Sequence, residues 1–297
     1  MAQFRQNHTR RNKGLAGTFR MVIILILALI VLVGAIWYYG SGSDTTDAQN
    51  NPVDFSLRTY LPSHTGEVIH HQYYSLSYKE KHEQAEWVAY MVDRNTLNMP
   101  NVQRASDFAE DPSVSSGSAH HRDYSNSGYT RGHLAPAGDM AFDASAMKES
   151  FYMSNVSPQL RQLNNGIWKE LEENIRDWTY KAETLYIITG PIFDNPIKTI
   201  GKDSKVTVPS SFYKVILDYK QPDRKAIAFI IPHELSERRL EEYMVTVDEA
   251  EKMTGLDFFN DMINNIEEEN IESIIDQSKW KISEKRYQLR VKKWNYE

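Results

Sequence analysis

Several side chains in the middle of the chain are of the types that act on a phosphodiester. His133 follows an Arg-Gly step, and a neutral imidazole can take up a proton at physiological pH. Residues 164–180 have the pattern of a helix, in which Asn164, Glu172 and Arg176 are separated by multiples of four and share one face. A histidine base, an oxygen ligand for a hard cation and an arginine for phosphate are the components of metal-assisted phosphodiester hydrolysis.

The neighbouring stretches indicate how these residues are positioned. Residues 105–128 are polar and rich in turn signals, which predicts a loop leading into a strand that carries His133. Residues 150–153 have the pattern of a strand and end in the polar turn 155–159. The predicted helix follows that turn.

Three features resemble the DNA/RNA non-specific endonuclease family, whose core is a ββα-metal finger. They are the Arg-Gly-His motif ending at His133, the turn Asn-Val-Ser-Pro-Gln at 155–159 and the helix that begins at Asn164. In this family the first motif is usually Asp-Arg-Gly-His, and in this chain Thr130 occupies the position of the aspartate. We expect this departure to concern support of the loop more than His133 itself. Further similar segments at 87–90, 189–192 and 247–259 extend the resemblance over roughly residues 60–280.

The resemblance implies a base and a metal ligand. His133 would be the general base, and Asn164 would bind the cation through its amide oxygen. Mg²⁺ suits a single protein ligand because it keeps several waters, and Mn²⁺ is another candidate. Glu172 matches the residue that holds those waters. Without the resemblance, Asn164 would be read as a helix N-cap and Glu172 as a surface carboxylate.

Arginines are the candidates for binding phosphate, since a guanidinium contacts two oxygens at once. The matching positions are Arg131 and Arg176, and an ion pair with Glu172 is the structural alternative for Arg176. Asn155 matches an asparagine of the family, and we expect it to hold the loop and its water network. Trp168 lies on the same predicted helix face, where we expect packing rather than stacking on a base.

Apolar runs bounded by turn signals predict strands at 86–93, 185–189, 212–217 and 226–231. These strands and the helices interleave without the regular alternation of a parallel βαβ fold. We therefore predict an α+β fold with a mixed or antiparallel central sheet and a ββα-metal finger active site, preceded by one N-terminal transmembrane helix.

Charge limits how such a protein could hold nucleic acid. The 297 residues include 34 basic and 40 acidic side chains, for a formal net charge of −6. Five of the basic residues lie within 1–20, which has no acidic residue, so the remainder carries about −11. Attraction must therefore come from a local cleft and a metal ion rather than a broad basic field. The absence of cysteine excludes disulfides and thiolate metal sites.

Residues 21–39 are apolar throughout and end in three aromatic residues. About 20 such residues span a bilayer, and the basic N-terminal flank predicts that this end stays inside. A cleaved signal peptide is the alternative. The predicted organisation is a basic cytoplasmic tail at 1–20, a transmembrane helix or signal anchor at 21–39, a linker at 40–56, an endonuclease domain at 57–282 and a basic C-terminal tail at 283–297.

This organisation predicts a single-pass protein of the cytoplasmic membrane, with its N-terminus inside and its catalytic domain periplasmic or extracellular. Cleavage of the N-terminal segment would make it secreted. The basic C-terminal tail is expected to be solvated, with contact to nucleic acid or phospholipid as the alternative.

The sequence thus predicts a metal-dependent endonuclease that cuts DNA and RNA with little sequence preference, because a base, a metal and arginines contact the backbone and not the base edges. Its predicted partners are DNA, RNA and, through residues 21–39, a membrane. One alternative is a catalytically impaired nucleic-acid-binding surface module of the same fold, motivated by Thr130 and the acidic excess. A phosphodiesterase acting on small substrates is another.

Overall fold

The computed structural model describes residues 24, 26, 28–29, 54–55, 58–202, 204–263 and 270–297. The chain divides into two compact units, Met1–Pro52 and Val53–Glu297. In the first unit, the four described residues are helical and exposed. The helices and strands named below all belong to the second unit.

The described strands and helices follow one another in a mixed order. The strands are β1 (Glu67–His70), β2 (Tyr74–Lys79), β3 (Gln84–Asp93), β4 (Thr130–His133), β5 (Val156–Gln159), β6 (Thr184–Ile192), β7 (Lys198–Ile200), β8 (Val206–Val208), β9 (Ser211–Asp218), β10 (Lys225–Pro232) and β11 (Met244–Val245). The α-helices are α1 (Arg94–Leu97), α2 (Ala144–Ser150), α3 (Arg161–Leu163), α4 (Lys169–Ala182), α5 (Val247–Thr254) and α6 (Glu284–Lys292). A π-helical turn, Asn164–Trp168, joins α3 to α4. Short 3₁₀ helices lie at Glu80–His82, His121–Tyr124, Met153–Asn155, Leu240–Tyr243, Gln277–Lys279 and Trp294–Tyr296.

A seven-stranded antiparallel sheet forms the centre, in the order β1-β2-β3-β6-β9-β10-β11. Side chains alternate between the two faces of a strand, and both faces of β3 are buried. Even-numbered residues 88–92 pack with α4, whereas odd-numbered residues 87–91 pack in the cluster that includes α5. Two smaller antiparallel pairs, β4-β5 and β7-β8, lie outside this sheet.

The predicted α+β class with a central antiparallel sheet is confirmed. The strands predicted at 86–93, 185–189, 212–217 and 226–231 lie within β3, β6, β9 and β10. The strand predicted at 150–153 is wrong, because α2 ends there and a 3₁₀ turn follows. The polar residues 156–159, predicted as a turn, form β5 because their backbone pairs with β4.

The predicted transmembrane helix at 21–39 lies almost entirely outside the described residues. Within the described part of the chain, no helix is both long enough and apolar enough to cross a bilayer.

The C-terminal segment is folded, which corrects the expectation of a solvated tail. Arg290 of α6 is completely buried and pairs with the equally buried Glu170 of α4. Its guanidinium also donates to the carbonyls of Ser236 and Arg238. A charge buried this deeply requires such partners, so α6 is fixed to the base of α4.

Breaking this buried pair should destabilise the protein strongly. We expect Arg290→Ala to lower the free energy of unfolding by about 3–5 kcal/mol, because Glu170 is left buried and uncompensated. Lys279→Ala is the control, since its ion pair with Asp223 is exposed and should contribute at most about 1 kcal/mol. Denaturant titration measures both, and equal losses would contradict the assigned importance of the buried pair.

Candidate active site

A hairpin followed by a helix forms the frame of the site. β4 and β5 pair antiparallel, with His133 opposite Val156. The chain then enters α3, the π-helical turn and α4. This strand–strand–helix succession is the one that the sequence resemblance implies.

One cavity of about 620 Å³ lies against this frame. Five of the six predicted site residues line it, namely Arg131, His133, Asn164, Glu172 and Arg176. They come from β4, the π-helical turn and α4. The residues predicted to act together are thus brought to one place.

His133 ends β4 and is nine-tenths buried. Its ring packs against Phe151, with ring centroids 4.7 Å apart, and against Phe108 at 5.3 Å. Burial, helped by the positive charge of Arg104, lowers the pKa of His133 to about 3, so the imidazole is neutral at physiological pH. Its Nε2 is buried and makes no hydrogen bond with any residue the structure describes, which suits a group that accepts a proton from a molecule in the cavity.

Asn155 does not line the cavity but holds the loop that follows His133. Its Nδ2 donates to the carbonyls of Ala135 (3.0 Å) and Ser150 (2.8 Å), and its Oδ1 accepts from the Ala135 amide (2.9 Å). Its backbone carbonyl accepts from the amide of Leu134 at 2.9 Å. These bonds fit the expected loop-holding role, which stays a prediction.

Asn164 is tied to the strand that carries His133. The Thr130 hydroxyl donates its one hydrogen to the Gln159 carbonyl (2.9 Å), so toward Asn164 it can only accept. The Asn164 Nδ2 therefore faces Thr130, at 3.2 Å, and the amide oxygen is left for another partner. The residue that replaces the family's aspartate thus supplies an acceptor that orients the predicted metal ligand.

The predicted helix face is only partly correct. Asn164, Glu172 and Arg176 line the cavity, but Trp168 is 99% buried, with its ring 5.6 Å from that of Phe212. The π-helical turn begins at Asn164 and is broken by the non-helical Gly166. A π turn holds an extra residue, so the four positions do not form one continuous stripe. Packing of Trp168, as expected, is its observed role.

Charged groups behind the cavity form a network that sequence reasoning missed. Arg176 Nε lies 2.6 Å from Oδ1 of the buried Asp139, which corrects the expected alternative of a pair with Glu172. Burial opposes the charge on Arg176, but the carboxylates of Asp139 and Glu172 outweigh it and raise the pKa of Arg176. The guanidinium of Arg176 therefore stays positively charged, and it lines the cavity.

Lys214 is the second missed residue. It is completely buried in β9, with Nζ 3.3 Å from the Tyr90 hydroxyl and 3.4 Å from the Leu134 carbonyl. Burial lowers the pKa of Lys214, and the carboxylates of Glu172 and Asp139 counteract this effect. Burial raises the pKa of Glu172, and the positive charges of Lys214 and Arg176 counteract that effect. A lysine within the apolar run 212–217 was the available sequence signal, whereas Asp139 in its loop offered none.

The side chains of the cavity fit a divalent cation. The oriented amide oxygen of Asn164 and the carboxylate of Glu172, lining the same cavity, are ligands of the type that Mg²⁺ and Mn²⁺ prefer. In the described part of the chain, the one group of three acidic or histidine residues with metal-ligand spacing is Asp248, Glu251 and Glu272, which lies elsewhere. A cation in the cavity would therefore keep most of its waters.

The π-helical turn is supported by the C-terminus. A Cβ atom on Gly166 would overlap Oδ1 of the buried Asn295, whose Nδ2 donates to the Ser236 carbonyl at 2.9 Å. Arg161 Nη1 also donates to the Glu297 carbonyl, at 2.8 Å. The turn that presents Asn164 therefore has no room to shift towards the C-terminal residues.

Gly166→Ala should impair the site by steric conflict. We expect at least tenfold lower phosphodiester cleavage, because about 1 Å of misplacement can cost a hundredfold. Asn295→Ala removes the conflicting atom, so the double variant should regain most of the loss. Cleavage rates of the wild type, both single variants and the double variant complete the cycle. If the loss of cleavage rate in the double variant equals the combined losses of the two single variants, the proposed contact is contradicted.

The lowered pKa of His133 predicts a pH dependence of stability. Below pH 6.5 the unfolded imidazole binds a proton that the folded one does not, so this contribution is present above pH 6.5 and lost as the pH falls towards 3. The free energy of unfolding of the wild type should fall as the pH is lowered from 6 to 4. In His133→Phe the slope of this fall should be smaller by about 1.4 kcal/mol per pH unit.

Denaturant titrations at several pH values test this. The control is His64→Gln, which removes an exposed histidine that lies outside the cavity. A His133→Phe slope equal to that of the wild type would show that the histidine titrates normally in the folded protein.

Comparison with known proteins agrees with the fold and the site. The family described as DNA/RNA non-specific endonuclease matches residues 54–264. The mitochondrial nuclease EXOG of Danio rerio is 37% identical over 215 residues, which are 67% of this chain and 62% of the relative. Nuclease C1 of Cunninghamella echinulata var. echinulata is 35% identical over 217 residues, covering 67% of this chain and 85% of the relative.

A solved structure of an EndoG/EndoGI complex, described as showing the mechanism of EndoG inhibition, contains a similar chain. It has a TM-score of 0.65 and 27% sequence identity, and the match covers 73% of this chain and 95% of that one. The fold and site therefore place the protein in the class of ββα nucleases. More narrowly, the chain belongs to the DNA/RNA non-specific endonuclease family.

The comparisons also correct the predicted localisation. Relatives with 37% and 33% identity are named mitochondrial nucleases, which contradicts the predicted placement as a single-pass protein of the cytoplasmic membrane. The match spans only 55 to 62% of the length of the four EXOG relatives.

Proposed function

We propose that the protein is a metal-dependent endonuclease that hydrolyses phosphodiester bonds of DNA and RNA without sequence specificity. The observation that supports this best is the buried Nε2 of a neutral His133, which lines the same cavity as Asn164 and two arginines. Family membership supports the same reaction. No group in this constellation is suited to distinguish one base from another, because the arginines bind phosphate.

In this mechanism His133 takes a proton of the attacking water as the water oxygen bonds to phosphorus. The bond from phosphorus to the 3′ oxygen breaks, and that oxygen takes up a proton from solvent. Asn164 would hold Mg²⁺ or Mn²⁺, with Glu172 hydrogen-bonded to its waters, and the bound cation supplies positive charge to the phosphate in the transition state. Arg176, fixed through Nε by Asp139, turns its remaining N–H groups to a phosphate oxygen. The products are expected to carry 5′-phosphates, as the family resemblance implies.

Arg131 would contribute at the edge of the cavity. Its Nε and Nη2 both donate to the carbonyl of His121, at 3.1 and 2.6 Å, and its guanidinium carbon lies 5.5 Å from the centre of the Phe108 ring. This fixes the plane of the guanidinium and leaves Nη1 for phosphate. Asn155 acts through the loop after His133 and not on the substrate.

The alternative of a catalytically impaired binding module is less well supported. It was motivated by Thr130 and by the acidic excess. Thr130 keeps an acceptor for the Asn164 amide, so its difference from the family motif supplies no reason for lost turnover.

Degradation of plasmid DNA and of RNA by the full chain tests the proposal, with Mg²⁺ and with EDTA. His133→Ala should lower the rate at least a hundredfold, because general-base catalysis contributes about 10²–10⁴-fold, and EDTA should abolish wild-type activity. His64→Gln, an exposed histidine, should retain full activity. Equal inactivity of the wild type and His133→Ala, with both still binding DNA, would instead support the binding module.

A further inference from the structure

A second groove, of about 640 Å³, adjoins the cavity and is strongly basic. Arg122, Lys198 and Lys202 line it and are all exposed. None of the three forms an ion pair with a residue that the structure describes. Ser125 and Asn126, also exposed, add neutral polar groups that can donate hydrogen bonds. The groove therefore offers cations and polar donors to a bound anion.

The three cations of the groove are not neutralised by a described carboxylate. Elsewhere, many basic side chains are neutralised by carboxylates, among them Lys220, Lys225 and Arg286. Among the described residues that line the groove, Asp123 is the one carboxylate, and it is buried. Its Oδ2 accepts from the amide of His120 at 3.1 Å, so it is already committed to the 3₁₀ turn.

The groove and the cavity are linked through neighbouring residues. The carbonyl of His121 holds the Arg131 guanidinium, and Arg122 is the next residue along the chain. Lys198 Nζ lies 5.0 Å from the centre of the Tyr129 ring, and Tyr129 is two residues before Arg131. A strand whose phosphate reaches Arg131 can therefore continue towards the groove, with one exposed carboxylate, Glu110, beside His120.

We propose that this groove binds the sugar-phosphate backbone of a single nucleic-acid strand, several nucleotides from the bond that is cut. The inference rests on the proposed function and extends its site to a longer substrate. Three cations in one groove contact phosphates and not bases, so the groove adds affinity for any sequence. It also adds to the local attraction that the arginines of the cavity provide in an acidic domain.

The test compares two triple variants of the full chain. One is Arg122→Gln, Lys198→Gln and Lys202→Gln; the matched control is Lys181→Gln, Lys252→Gln and Lys281→Gln, which removes the same charge at exposed positions outside the groove. For a 20-nucleotide single strand, the groove variant should show KM raised about tenfold. For a dinucleotide, too short to reach the groove, kcat/KM should stay within twofold of the wild type.

Salt dependence gives a second readout. In EDTA, the affinity for the same 20-nucleotide strand should fall less steeply with salt in the groove variant, with the slope of log K against log salt smaller by about 2, since each phosphate contact on a single strand contributes about 0.7. The control variant should keep the wild-type slope. Equal KM and equal slope in the two variants would overturn the proposal.

Failure of the proposed function would look different. If the wild type cuts neither substrate, the endonuclease proposal fails, while the affinity measured in EDTA still decides whether the groove binds the strand. Inorganic phosphate distinguishes an isolated anion site. If 20 mM phosphate weakens binding of the 20-nucleotide strand no more than an equal ionic strength of chloride, an extended backbone contact is supported. Complete displacement would overturn it.

Discussion

The hydrogen bond between Asn164 and Thr130 joins the two halves of the site. It links the helix that carries Glu172 and Arg176 to the strand that carries His133, and it fixes which side of the Asn164 amide faces the cavity. It adds a polar tie between the π-helical turn and the hairpin, beside the buried cluster that holds Leu134 and Ile167. The position at which this chain departs from the family motif is therefore the one that couples the proposed metal ligand to the proposed base.

Burial sets the chemical state of the groups around this bond. His133 is kept neutral because its ring is packed against aromatic side chains, as its proposed role of proton acceptor requires. Arg176 is kept charged by Asp139, as its proposed role of phosphate ligand requires. The acidic composition of the chain is compatible with binding a polyanion, because positive charge is concentrated in the cavity and in the adjoining groove.

Local patterns predicted the strands, the α+β class and the residues lining the cavity, because alternation of apolar residues and a short motif both reflect nearby structure. Contacts between distant segments were not predictable in this way. Asp139 pairs with Arg176, and Lys214 interacts with Glu172, only in the folded chain. The basic C-terminal segment was wrongly predicted to be solvated, because Arg290 pairs with Glu170, which is 120 positions away in the sequence. Trp168 was placed on the wrong side because a π turn has no sequence signature as clear as four-residue spacing.

The most direct test of the central claim is chemical rescue of His133→Ala by imidazole, measured as Mg²⁺-dependent cleavage of DNA. The cavity is large enough for a small base, so added imidazole should restore activity in a saturable way and only in its neutral form, with the rate rising through the pKa of free imidazole. Asn164→Ala, which retains the histidine, should gain nothing. A folded, DNA-binding His133→Ala protein that imidazole fails to activate at any pH would contradict the assignment of His133 as the base.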